Sequence, residues 1–215
     1  MCNLYDIGPG SDLKFFNWQR GLKSAIEAAS KPFGVRKTDP GIVARFTPEK
    51  SSIEAVSMRW GFHRPFNPAI NNARSDKLNG RMWDDAWREK RRCVIPVSTF
   101  YEWTGPTGGK QTHAFQRLDA PFLMAGLWEL NPDPAIGLSF TMLTTDASDQ
   151  VERIHHRMPS LLNESDIPEF LETENPMHLV QPFKGELKIF DCENPLKMKA
   201  SDHKGPIPIS MLPGF

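Results

Sequence analysis

Cysteine is scarce in this sequence: 215 residues contain only Cys2, Cys93 and Cys192. There is no C-x-x-C pair and no basic stretch leading into an apolar one at the start. A disulfide framework and a secretory leader are therefore not expected, and a reducing, cytoplasmic setting is. Six histidines show no H-E-x-x-H or other ligand spacing. The adjacent pair His155-His156 should point apart on any regular element, so no metal site is expected. No apolar run approaches the roughly 18 residues of a membrane helix. Internal repeats and low-complexity linkers are absent too, and a single domain over residues 1–215 is the expectation. What is present is core-forming material, with 39% hydrophobic residues, 14 Phe and 6 Trp. That composition excludes a disordered chain.

Net charge is also missing, since 26 Lys+Arg meet 26 Asp+Glu. The zero is a cancellation. Residues 1–118 hold 19 basic and 11 acidic side chains, and the remainder holds 7 and 15, so the halves carry +8 and −8. Either both halves pack together and their charges merely solvate one domain, or the basic half faces an anionic partner such as nucleic acid.

Periodicity predicts an amphipathic helix over residues 11–30, with Phe15, Trp18, Leu22, Ile26 and Ala29 at helical spacing. Strands are predicted at 42–46, 53–60, 93–103, 113–118, 122–129 and 139–145. Residues 61–79, rich in Pro, Asn and Arg, read as a long irregular loop of the kind that often carries function. Short helices are expected at 81–92, 151–154 and 165–173, and the tail from Pro195 as a surface loop. The fold class is α+β, a mainly antiparallel, open-barrel-like sheet flanked by helices.

Four segments concentrate chemistry. Cys2 becomes the N-terminal residue once Met1 is trimmed. It then offers an amine titrating near about 8 beside a thiol near about 8.5. An aldehyde meeting that pair forms a Schiff base, and the thiol closes on it to give a thiazolidine. In Asn71-Asn72-Ala73-Arg74, Asn72 can orient an amine or thiol and Arg74 can clamp a phosphate. Phe100-Tyr101-Glu102-Trp103 sets one carboxylate among aromatics, where burial should raise its pKa for acid–base work. In Ile154-His155-His156-Arg157-Met158-Pro159, one histidine can relay protons and Arg157 can hold a phosphate or a carboxylate.

In this order and spacing, and with Arg59-Trp60-Gly61 before the loop, these segments resemble the SRAP family, the SOS-response-associated peptidase-like proteins that shield abasic sites in single-stranded DNA. The resemblance runs from residue 1 to about 160. It implies an enzyme that crosslinks abasic DNA through Cys2, with an associated lyase or self-trimming peptidase activity. Asn72 would position the Cys2 amine, and Glu102 and His155 would move protons. Arg74 and Arg157 would meet phosphate. Trp60, Phe62 and Phe66 would stack on bases, and Trp103 would buttress Glu102 beside the DNA. It implies single-stranded DNA with abasic sites as partner, no cofactor, no metal, no membrane, and a monomer. Asn3-Leu4 stands where many members carry Gly-Arg, and His156 where Asp is common. Two other readings use the same residues. One is a cysteine peptidase or N-terminal-nucleophile hydrolase built on Cys2. The other is a non-catalytic single-strand binder using Trp60, Arg74 and the basic run Arg88–Arg92.

Overall fold

The computed structural model describes residues 2–8, 28, 31–118 and 120–209. The predicted helix over 11–30 lies outside them. Strands β1 (Leu4–Asp6) and β2 (Val35–Arg36) come first. They are followed by β3 (Pro40–Phe46), β4 (Ile53–Trp60), β5 (Phe62–Arg64), β6 (Asn67–Ile70) and β7 (Asn72–Arg74). After α1 (Asp84–Arg88) come β8 (Arg92–Val97), β9 (Thr99–Thr104), β10 (Gln111–Arg117), β11 (Phe122–Leu130) and β12 (Leu138–Asp146). Then follow α2 (Asp149–Glu152), β13 (Arg157–Pro159), β14 (Leu161–Leu162), α3 (Ile167–Glu172) and β15 (Leu187–Cys192). The class is mixed α+β, mostly strand with few helices.

One sheet has the order β15-β10-β9-β1-β2 and is antiparallel throughout. The other has eight strands. Within it, pairings run β3–β4–β12–β11–β8 and back to β3, a closed circuit. Strand β12 also takes β4 and β7 as parallel partners. The central strands read as near-continuous apolar runs because both their faces are covered: β8 is buried at all six positions. Between the sheets, Trp60 meets Tyr5 edge-on at 4.9 Å and stacks on Phe140, and Phe100 stacks on Phe115 at 4.5 Å.

Three departures from the sequence reading have local causes. The expected loop 61–79 contains the β5–β6 hairpin and β7, because the Arg59 guanidinium donates to the carbonyls of both Gly61 and Pro68 and ties the two arms together. The expected strand 93–103 is two strands broken at Ser98, whose N–H and hydroxyl both turn to the Asp6 carbonyl, at 2.8 and 3.2 Å. The helix expected over 81–92 shrinks to α1, since Arg92 already pairs with Leu127 in the sheet. Trp83 and Trp87 are buried together on its inner side.

Candidate functional site

Strand β1 lies between β9 and β2, with Tyr5 opposite Phe100, so the chain leading into β1 runs beside the Glu102 end of β9. Cys2 is fully buried there, and its thiol donates to the Leu4 carbonyl at 3.2 Å. Burial, and then the nearby Glu102 carboxylate, push that thiol up to about 12. The Cys2 carbonyl accepts two side-chain amides, Asn71 Nδ2 and Asn72 Nδ2, each at 2.9 Å. Strand β7 presents Asn72 by pairing with Met142 of β12. Asn71 is held through its own carbonyl, which accepts from the Trp60 indole at 3.1 Å and from the Met142 N–H. The role of Asn71 was not foreseen. The N-N doublet was its only trace in the sequence, and nothing in the pattern says that both amides turn to one carbonyl.

Glu102 is 3% exposed and shares its face of β9 with Phe100. Burial lifts its carboxyl to about 7. A buried acid poised near neutrality can both give and take a proton. His155 follows α2 and precedes β13, which pairs with β12 next to β7's partners. Its Nδ1 lies 3.0 Å from the Arg157 N–H and 3.1 Å from the Arg157 carbonyl. Burial first, and then nearby positive charge that includes the Arg157 guanidinium, lower its pKa. The two neighbouring imidazoles do not point apart as expected; they stack at 4.5 Å, because the chain turns between α2 and β13. Among the described residues, no group of three or more His, Cys, Asp or Glu side chains is placed to hold a metal ion.

Several side chains expected at DNA are buried or engaged within the fold. Trp60 and Phe62 are both fully buried, Trp60 in the core between the sheets and Phe62 against Trp83, so neither ring can reach a base. Arg157 is 3% exposed, and its guanidinium is committed to Asp146 at 2.9 Å and to the Thr144 carbonyl. In this arrangement it holds strands together. Trp103 alternates to the opposite face of β9 from Glu102 and packs with Leu4, Tyr101, Ala114 and Cys192, so it does not buttress Glu102. Within the run Arg88–Arg92, Arg88 stays exposed while Arg92 is buried, and each basic side chain before Arg92 has a carboxylate partner. Arg88 pairs with Asp84, Lys90 with Glu174 and Arg91 with Glu89. Arg92 is buried against the Trp87 and Phe170 rings, which lowers its pKa to about 10.

Besides Arg88, Arg74 and Phe66 remain reachable. Arg74 is exposed, with Asp76 as a bidentate partner at 3.0 and 2.8 Å. Phe66, at the tip of the β5–β6 hairpin, is 74% exposed.

Comparison with known proteins places this architecture. A family model described as SOS response associated peptidase (SRAP) matches residues 10–195. Among curated relatives, abasic site processing protein HMCES of Gallus gallus is 29% identical over 165 residues, covering 59% of this chain and 49% of that protein. Abasic site processing protein YoqW of Bacillus subtilis is 27% identical over 144 residues, covering 60% and 64%. The matched stretch thus spans about half to two thirds of these relatives. Crystal structures of proteins from Bacteroides thetaiotaomicron (TM-score 0.75, 19% identity, 94% of this chain and 97% of that one) and Bordetella bronchiseptica (0.73, 22%, 90% and 100%) share the fold. With its family match running across most of its length, this chain belongs to the SRAP family.

Proposed function

We propose that this protein processes abasic sites in single-stranded DNA by capturing their aldehyde covalently on Cys2. The observation that carries the reading is the convergence on one backbone segment of two amides, Asn71 and Asn72, and a buried carboxyl near pH 7, Glu102. The names of the relatives, abasic site processing proteins, support the same substrate class.

The chemistry follows from these groups. The closed sugar of an abasic site must open first: its C1′–O4′ bond breaks as the ring oxygen gains a proton and the C1′ hydroxyl gives one up, leaving the aldehyde. Protonated Glu102 is the acid suited to that step. The Cys2 amine, freed when the residue ahead of it is removed, attacks the aldehyde, and loss of one water gives an imine. The Cys2 S–H then adds across the C=N bond. Sulfur bonds to carbon, the nitrogen recovers its proton, and a thiazolidine ring closes, with one water lost overall. His155, neutral at physiological pH, assists the proton traffic. Asn72 orients the nucleophile through the Cys2 carbonyl. Since the thiol is fully buried, the first residues must rearrange to admit an aldehyde, and trimming ahead of Cys2 is the step that does so. The protein itself or a separate peptidase serves equally. We read the strand circuit as the family's open barrel, Arg74 as the phosphate contact and Phe66 as the stacking ring. Stacking of this kind contributes about 1–3 kcal/mol per base. The setting is the reducing cytoplasm and the protein acts as a monomer.

The test is a single strand carrying one abasic site, mixed with purified protein and run on a denaturing gel. Wild type forms a heat-stable, slower-migrating adduct and Cys2→Ala does not. An equal yield from Cys2→Ala sinks the proposal.

A further inference from the structure

The acidic C-terminal portion contributes more than a surface loop. Its residue His203, beyond the matched span that ends at 195, is 3% exposed and sits against Asp6, which is fully buried. Asp6 Oδ1 accepts from His203 Nε2 at 2.8 Å and from the Gly34 N–H at 2.7 Å. Its Oδ2 accepts the Tyr101 hydroxyl at 2.5 Å. The imidazole packs edge-on to Phe33 and tilted to Tyr101, each at 6.0 Å between ring centres. Gly34, at φ +66°, leaves room for it: a Cβ there would lie 3.3 Å from His203 Cδ2. The loop that carries His203 is closed at its base, by a bridge between Cys192 and Pro208 and by the Glu193 N–H on the Ile207 carbonyl at 3.0 Å.

The placement of this network is informative. Asp6 ends the strand whose approach segment carries Cys2, and Tyr101 directly precedes Glu102. One carboxylate therefore joins the two strands that bring the proposed nucleophile and the proposed acid together, and the tail supplies its third donor. We propose that His203 is a positioning residue: through Asp6 and Tyr101 it latches the Cys2 strand β1 to the Glu102 strand β9. The role in capture rests on the function proposed above; the latch itself does not. A buried carboxylate that loses a donor is left under-solvated, and the segment it anchors opens more often.

The experiment uses the full chain and the alkylation of individual cysteines by iodoacetamide, read by mass spectrometry, with thermal melting to establish that each variant is folded. In His203→Ala, Cys2 is expected to alkylate about tenfold faster, while Cys93, fully buried in β8, keeps its wild-type rate. His203→Gln, whose amide can donate to Asp6, should restore most of the protection. In parallel, crosslinking to abasic single-stranded DNA should slow at least fivefold in His203→Ala with unchanged non-covalent affinity for intact single strands. An unchanged Cys2 rate overturns the latch, and so does an equal rise at Cys2 and Cys93, which would mean general loosening. If wild type itself forms no DNA adduct but Cys2 protection still depends on His203, the proposed function fails and the latch stands.

Discussion

Replacing Glu102 with Gln keeps the side chain's size and removes its charge, which isolates what burial of that carboxyl costs. In the folded protein it titrates near 7 against an ordinary 4.5. At about 1.36 kcal/mol per pH unit, that difference is about 3 kcal/mol. The fold prefers the protonated form. The contribution to stability is therefore fully present below pH 4.5, is lost as pH rises toward 7, and levels off above that. Between pH 5 and pH 8, wild type should lose about 2–3 kcal/mol from this group alone, and Glu102→Gln should lose none of it. For a chain of this size that corresponds to about 5–10 °C in melting temperature. Urea unfolding of both proteins at pH 5, 6, 7 and 8 reads the effect as a difference, so that histidines titrating in the same range cancel. The curves should converge at pH 5 and separate by pH 8, with the variant the more stable. Parallel curves across that range would refute the idea that Glu102 is held in a poorly solvated place, and with it the acid–base role built on that burial.

The two arginines once expected to share a phosphate-binding role should separate cleanly. Arg74→Ala should leave the melting temperature unchanged while weakening single-strand binding and lowering its salt slope by about one, measured by fluorescence anisotropy at several salt concentrations. Arg157→Ala should cost about 1–3 kcal/mol in urea unfolding, because it removes a buried guanidinium that donates to the Thr144 carbonyl and to the exposed Asp146 carboxylate. At Gly41, an added Cβ would lie 2.2 Å from the Tyr5 hydroxyl and 2.9 Å from Phe140 Cζ. Gly41→Ala should destabilise by about 1–3 kcal/mol, and Tyr5→Phe in the same chain should recover part of it, since that buried hydroxyl has no hydrogen-bond partner among the described residues.

Alternation of apolar and polar residues located most strands, and the ordered short motifs located the family. Glu102 could be singled out because Phe100 and Glu102 share a face, which a period of two makes readable. The stacking role of Trp60 could not be judged that way. An aromatic before a glycine looks the same whether it caps a core or faces a base, and only the packing of Tyr5 and Phe140 around it decides. The different surroundings along the basic run Arg88–Arg92 are hidden for a related reason. Its partner Glu174 lies far along the chain and Arg92's aromatic neighbour Phe170 lies in α3, contacts that local composition cannot reveal. The buried pairing of Asp6 with His203 spans 197 residues and leaves no local pattern at all.

The position of β1 as an interior strand sets a timetable for synthesis. Its partner β9 lies some 95 positions later, with Tyr5 opposite Phe100. At about 5–20 residues per second on the ribosome, the segment around Cys2 emerges roughly 5–20 s before the strand that will cover it exists. On the function proposed above, Cys2 would be open during that interval to a peptidase acting ahead of it; afterwards, trimming would have to wait for β1 to open. Nascent chains slowed between residues 7 and 99 should therefore be processed more completely, and those refolded from denaturant with the leading residue still attached should stay unprocessed for longer.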